Sequence, residues 1–324
     1  IQTLEAYFDI ELDPQEPVLQ EVQTVELEGG DWLMKQGDTG DTLYFLVRGR
    51  LQAWARGDDG SDRGTFLNEI VPGDSVGELS LLTGAPRAVG IQAIRDSLLA
   101  RIDRETFDRV AREHPALVMK LATNVATLLQ SSNSRSRPTT RNLQAITVIP
   151  LDDTTQTEEF CRQFTQELDN EGKTLSLFAA NLGHAGAPVD SLKTHEPVPE
   201  SLRHWLQDQE NDYEYLVYHC HAENSTWSQF ALRHSDMVIL IGDASRQPKL
   251  RSWERELLEA AGSSVARQML VLLQDQGSDN IHNTKAWLDN RAIDFHVHVR
   301  HTHPEDVSRV TRIVSGNALG LVLA

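Results

Sequence analysis

Glu78 and Arg87 are the two side chains of this sequence best suited to grip a small ligand, one by a hydroxyl and the other by an anionic group. They stand in PGDSVGELSLLTGAPRAVG, Pro72 to Gly90: a turn, the pair Gly77-Glu78, an apolar run Leu79 to Leu82, then Arg87 between Pro86 and Ala88. A carboxylate accepts a hydrogen bond from a hydroxyl. A guanidinium pairs with a phosphate through a charge-assisted fork that an ammonium does not reproduce. Together they suit a ligand that offers one hydroxyl and one singly charged phosphate. A helical turn over Gly77 to Leu82 would add free backbone N–H groups facing the same anion, and Gly77 lets the backbone come close. In an empty fold the same two side chains would pair with each other.

The elements that must carry this pair lie on either side of it. From Val22 to Ile102 the sequence reads as strand after strand, separated by the turns GGD, QGDTGD, RGDDGSDRG and VPGD. That is the pattern of an antiparallel β-roll. Ahead of it, Ile1 to Asp13 places Leu4, Tyr7 and Phe8 among acidic residues as a short amphipathic helix. Behind it, Arg104 to Glu113 reads as a helix. Pro115 to Leu129 reads as another, with Leu117, Leu121, Val125 and Leu128 on one stripe that packs on the roll or on a second subunit.

Gly77, Glu78, Leu79, Ser80, Leu81, Leu82, Pro86 and Arg87 match the pattern G-E-(L/I)-(A/S)-L-L-x-x-x-P-R-x-A, with Val89 at the last alanine. The segment resembles the phosphate-binding cassette of cyclic-nucleotide-binding domains, and Gly30, Gly37, Gly40 and Gly49 fit that family's roll. The resemblance implies that Glu78 takes the ribose 2'-hydroxyl and Arg87 the ring phosphate. Gly77, Leu79, Ser80 and Ala88 would complete the contact. In this family alanine after the arginine goes with cAMP and a hydroxyl residue with cGMP, so Ala88 points to cAMP. The helix Pro115 to Leu129 would be the part that moves on binding or forms a homodimer.

QSSNSRSRPTTRN, residues 130 to 142, has almost no apolar content and reads as a linker. We place a first domain at 1–130, the linker at 131–144, a second domain at 145–316 and the start of a further one at 317–324. The second domain alternates strand and helix. Strands are predicted at Ala145 to Pro150, Thr174 to Ala179, Tyr215 to His219, Met237 to Gly242, Gln268 to Leu273 and Ala292 to Val299. Helices are predicted at Thr157 to Asn170, Glu200 to Gln209, Thr226 to His234, Leu250 to Ala261, Thr284 to Asn290 and Pro304 to Ile313. Thr226 with Gln229 reads as a capping box and Gly172 as a helix stop. Near-continuous apolar strands such as MVILIG require a parallel sheet covered on both faces. The fold class is therefore a two-domain α+β chain: an antiparallel β-roll of cyclic-nucleotide-binding type, then an α/β Rossmann-like parallel-sheet domain.

Other residues that could do chemistry are in poor settings for it. The turn after the first strand of the second domain, Pro150 to Glu159, has no glycine, hence neither a dinucleotide fingerprint nor a phosphate loop. Asp152 and Asp153 would need a third aspartate at a central strand end to form a phosphoacceptor pocket, and YLVYHCH has none. Gly73-Asp74-Ser75-Val76-Gly77 satisfies G-x-S-x-G, but inside a roll rather than on a parallel sheet. His296, His298, His301 and His303, like His219 and His221, could bind a transition metal. Phe295, Val297 and Val299 alternate with them, so a strand with one buried and one polar face accounts for the spacing, and no metal site is assigned.

The chain has 324 residues and a formal net charge of −18. Such a balance repels phosphate backbones and anionic surfaces, which argues against nucleic acid as a partner. Two cysteines are too few for a disulfide framework, and Asn224-Ser225-Thr226 is read as a chance glycosylation match. No apolar run approaches the roughly 20 residues of a membrane-spanning helix. The expected location is cytoplasmic, with peripheral membrane contact for a longer parent. The chain starts at Ile1 and reads as a piece of something longer.

A second resemblance rests on the α/β half. Leu216, Val217, Tyr218, Trp227, Leu232, Arg233, Asp236, Leu240 and Gly242 fit a block that recurs in the neuropathy target esterase group of patatin-like phospholipases, between their nucleotide-binding and catalytic domains. Gly320 to Ala324 resembles the first strand of the patatin domain. The resemblance implies a regulatory region whose partner is a C-terminal patatin-like serine hydrolase in the parent chain. No catalytic residue, and no cofactor beyond a nucleotide ligand, falls within this sequence. One alternative is a transcription regulator of catabolite-activator type, which would follow the roll with a basic helix-turn-helix rather than an acidic α/β domain. Another is a roll that has lost its ligand and serves as an interaction module.

Overall fold

The computed structural model describes residues 22–57, 60–113, 144–152, 154–246, 248–260, 266–274, 283–300 and 303–317, together with Met119 and Thr123. The helix expected at Ile1 to Asp13, most of the helix at Pro115 to Leu129, nearly all of the linker, Asp153, His301 and the strand at Gly320 to Ala324 lie outside the described residues. The chain divides into two compact units, Ile1–Arg141 and Asn142–Ala324. Among the described residues no helix is long and apolar enough to cross a membrane.

The first unit runs β1 (Gln23–Leu27), β2 (Trp32–Met34), β3 (Thr42–Ala55), β4 (Thr65–Ile70), β5 (Ser75–Val76), α1 (Glu78–Thr83), β6 (Gly90–Asp103) and α2 (Arg104–Glu113). All of its strand pairs are antiparallel, in the order β1-β6-β3-β4, with β2 on β6 and β5 on β3. β3 and β6 form the spine. Their register shifts between Leu46 and Leu51, where Gly49 takes φ 95° and a Cβ would stand 2.6 Å from Ser97 Cα. Only glycine fits there, and the bulged ladder bends so that one sheet can wrap on itself. Met34, Leu46, Leu51, Ile70, Ile91 and Leu99 fill one part of the interior. Leu43, Phe45, Leu81, Ala100, Ile102 and Phe107 fill another, which fixes α1 and α2 against the roll.

The second unit runs β7 (Ala145–Pro150), α3 (Thr155–Glu171), β8 (Thr174–Phe178), a 3₁₀ turn (Leu182–Ala185), α4 (Glu200–Asp212), β9 (Tyr215–His219), α5 (Thr226–His234), β10 (Met237–Asp243), α6 (Ser252–Ala260), β11 (Arg267–Gln274), α7 (Thr284–Leu288), β12 (Phe295–Arg300) and α8 (Pro304–Val314). Its sheet is parallel throughout, in the order β12-β11-β10-β7-β9-β8. Each central strand feeds two cores: Val238 and Leu240 of β10 face one, Met237, Ile239 and Ile241 the other. This is why these strands are apolar without a break. Counted within the unit the order is 2-3-1-4-5-6, the dinucleotide-binding order with its second and third strands exchanged.

Two local expectations need correcting. Helix α5 is capped by Ser225, whose side chain accepts from the Ser228 N–H, while Thr226 Oγ1 donates to Thr194 C=O instead. The reciprocal capping box belongs to Thr154 and Thr157 at the start of α3. Strand β12 begins at Phe295 rather than Ala292, because the Ile293 N–H turns back to Arg291 C=O.

Candidate ligand site

Gly77 ends β5 with φ 92°, and α1 starts at the next residue. A Cβ at Gly77 would stand 2.3 Å from Arg87 Nη1 and 2.7 Å from Thr42 C=O, so the guanidinium lies in space that only glycine leaves. Glu78 is 8% exposed, and its Oε2 is buried with no hydrogen-bond partner among the described residues. Burial raises its pKa, opposed by its own backbone amide and by the Arg87 charge.

Arg87 reaches the same place from the loop after α1 and is 5% exposed. Nη1 donates to Thr42 C=O at 3.0 Å and Gly77 C=O at 3.1 Å, and Nη2 donates to Thr42 Oγ1 at 2.7 Å. The main chain fixes the base of the side chain, with Arg87 N–H on Asp38 C=O and Gly37 N–H on Arg87 C=O. Burial lowers the guanidinium's pKa, while Tyr44, Asp41, Glu78 and Asp38 oppose the shift. Every acceptor Arg87 has found among the described residues is a neutral oxygen. The ion pair with Glu78 expected of an empty roll does not form.

Of the other residues singled out from sequence, Ser80 is buried and its C=O accepts the Gly84 N–H at 2.9 Å. Leu79 is half-buried and Ala88 exposed. Thr42 was not singled out, and its place on β3, far from the cassette in sequence, gives no local signal. Ser75 lies in β5, paired antiparallel with Phe45, which is not the parallel-sheet setting of a nucleophile elbow.

In the second unit the carboxyl ends of β7 and β10 mark where the connections diverge, toward β8 on one side and β11 on the other, the place where open α/β sheets bind ligands. There Asp152 is 4% exposed and takes ion pairs from Arg246, at 3.4 Å, and from Arg251. An incoming phosphate would meet a buried carboxylate already neutralised by the chain. His219, at the end of β9, stacks on Phe178 at 4.1 Å between ring centroids, and burial pushes its pKa down to about 4. His298 is tied to Gln274 and Thr284, with Val297 and Val299 buried on the opposite face. Among the described residues no cluster of three His, Cys, Asp or Glu is placed to hold a metal. Burial pushes the Cys161 and Cys220 thiols up to about 12, which leaves both unreactive.

The recurring block of the α/β half serves packing. Leu216, Val217, Tyr218, Leu232 and Leu240 are core residues. Trp227 Nε1 donates to His219 C=O, Asp236 Oδ2 accepts from the Gln144 and Ala145 N–H groups, and Gly242 leaves room for Trp287, whose Cη2 a Cβ would meet at 2.7 Å.

Residues 24–114 match the family described as cyclic nucleotide-binding domain, and residues 142–318 match the neuropathy target esterase family P-loop like domain. Lysophospholipase nte1 of Aspergillus niger is 28% identical over 83% of this chain, which spans 18% of that protein. Patatin-like phospholipase domain-containing protein 7 of Rattus norvegicus is 24% identical over 92% of this chain and 25% of its own length. The chain thus spans a quarter or less of these relatives. Among solved structures, the regulatory domain of Toxoplasma gondii PKA with cAMP is 28% identical over 34% of this chain and 42% of its own, with a TM-score of 0.30. Thermus thermophilus catabolite activator protein is 23% identical over 50% of this chain and 70% of its own, with a TM-score of 0.36.

Proposed function

Since this chain belongs to the neuropathy target esterase family, we propose that its first unit is the nucleotide-sensing part of a regulatory region in a longer patatin-like lysophospholipase or esterase. The ligand is a cyclic nucleotide, with cAMP favoured by Ala88. Glu78 accepts the ribose 2'-hydroxyl and Arg87 donates to the ring phosphate, beside the backbone of Gly77, Leu79 and Ser80.

The observation that carries this reading is a pair found among the described residues: a buried carboxylate oxygen with no donor, next to a buried guanidinium hydrogen-bonded only to neutral oxygens. A bare buried polar atom costs about 1–3 kcal/mol and more when charged. A ligand with one hydroxyl and one phosphate removes both deficits at once. Signalling to the hydrolase would pass through the segment Pro115 to Leu129 and the linker, and it requires that nucleotide bind two conformations with different affinity.

One observation favours a second reading, a roll used as an interaction module. Arg87 already has three protein acceptors, as an arginine retired from ligand duty would. A titration separates the two. The chain is titrated with cAMP and cGMP by calorimetry, and its melting temperature is followed, which must rise with any ligand selective for the native state. Saturable binding, tighter for cAMP and lost in Arg87→Ala, is expected. Absence of heat and of any melting shift at millimolar nucleotide rejects sensing and leaves the docking module.

A further inference from the structure

We infer that Gly40, on the turn into β3, and Thr42, the first residue of β3, are positioning residues that aim the Arg87 guanidinium at the phosphate. The inference rests on the nucleotide-sensing reading and adds two residues to it that lie outside the cassette. Thr42 holds the guanidinium by its end, with its C=O on Nη1 and its hydroxyl on Nη2, and it is itself buried. Gly77 C=O takes the other Nη1 hydrogen. A guanidinium has five N–H donors. Among the described residues these three bonds leave Nε–H and one Nη2–H without a protein acceptor, and these two are what a phosphate would take.

Gly40 sets how deep the side chain sits. A Cβ at this position would stand 2.3 Å from Nε, 2.5 Å from Nη2 and 2.6 Å from Cζ of Arg87. Unlike Gly37 and Gly77, Gly40 does not have a left-handed φ. Alanine there is free of backbone strain and acts by one route, pushing the guanidinium off Thr42 and Gly77. Arg87 is a long side chain that can yield without unfolding the roll.

The test compares Gly40→Ala, Thr42→Val and Thr42→Ser with the unmodified chain in the same cAMP titration, with the melting temperature of each ligand-free protein measured alongside. Gly40→Ala should weaken cAMP by about tenfold or more, the usual effect of losing hydrogen bonds to a charged group. Thr42→Val should weaken it by a similar factor. Thr42→Ser, which keeps the hydroxyl, should restore binding to within about twofold, a rescue that a packing role for the Thr42 methyl group would not give. Equal affinity in the unmodified chain, Gly40→Ala and Thr42→Val overturns this inference and leaves the sensing reading standing. Loss of cAMP affinity matched by a collapse of ligand-free stability, with no rescue by serine, also overturns it. No binding by the unmodified chain overturns both.

Discussion

The end of β5 in the first unit and the end of β7 in the second both bury a carboxylate beside arginine, and they treat it in opposite ways. Asp152 is neutralised by Arg246 and Arg251. Glu78 keeps an oxygen without a donor among the described residues, while Arg87, close enough to lower its pKa, spends its donors on neutral oxygens. The two carboxylates are alike in type and burial. What separates scaffold from site is whether the chain closes its own charges.

Three substitutions test this contrast. The largest effect is expected where closure is most complete, at Glu254 and Arg291, paired through two bonds of 2.6 and 2.8 Å with both side chains almost fully buried. Glu254→Gln leaves Arg291 uncompensated and should cost about 3 kcal/mol, read as a lower urea midpoint of tryptophan fluorescence, since Trp287 lies under the Arg291 guanidinium. A loss no larger than that of a surface pair would show that the buried bridge adds little.

Asp152→Asn should cost about 1 kcal/mol by the same measurement, because Arg246 and Arg251 are half in water and regain solvation when the bridge breaks. A loss as large as that of Glu254→Gln would mean that solvent does not reach them.

Glu78→Gln is the smallest effect and has the opposite sign, a gain of at most about 1 kcal/mol for the ligand-free chain at neutral pH. The folded pKa of Glu78 lies above its ordinary 4.5, so above that value the unfolded chain gives up the proton first and the fold carries the penalty. The gain should therefore be absent below pH 4.5, where both states are protonated, and should grow as pH rises through the folded pKa. Trp32 and Trp54 report on this unit. A loss of stability at neutral pH would mean that the carboxylate is satisfied within the roll.

The architecture could be read from the sequence because each half repeats one physical rule. Short strands between Gly and Asp turns give a roll, and unbroken apolar runs between amphipathic segments give a covered parallel sheet. Element types followed from this, and α5 has the expected bounds, but its cap is Ser225 because Thr226 turns its hydroxyl to Thr194 C=O. Glu78 and Arg87 were legible because both lie in one cassette. Thr42 and the arginines of Asp152 were not, since their pairings join distant segments and leave no mark on local spacing. The strand order of the second unit is likewise invisible to periodicity, which fixes what a strand is and not what it lies beside.

That order has a consequence for how the second unit is made. Of its strands β7 leaves the ribosome first, yet it lies between β9 and β10, pairing Ala145 with Leu216 and Ile146 with Met237. Neither neighbour exists until two further helices and a strand have been synthesised, and the second only after another helix. Such non-local pairing slows folding. The earliest strand of the unit keeps one edge unpaired until Ile241 has emerged, so nascent chains halted before that point are the ones a chaperone would have to shelter.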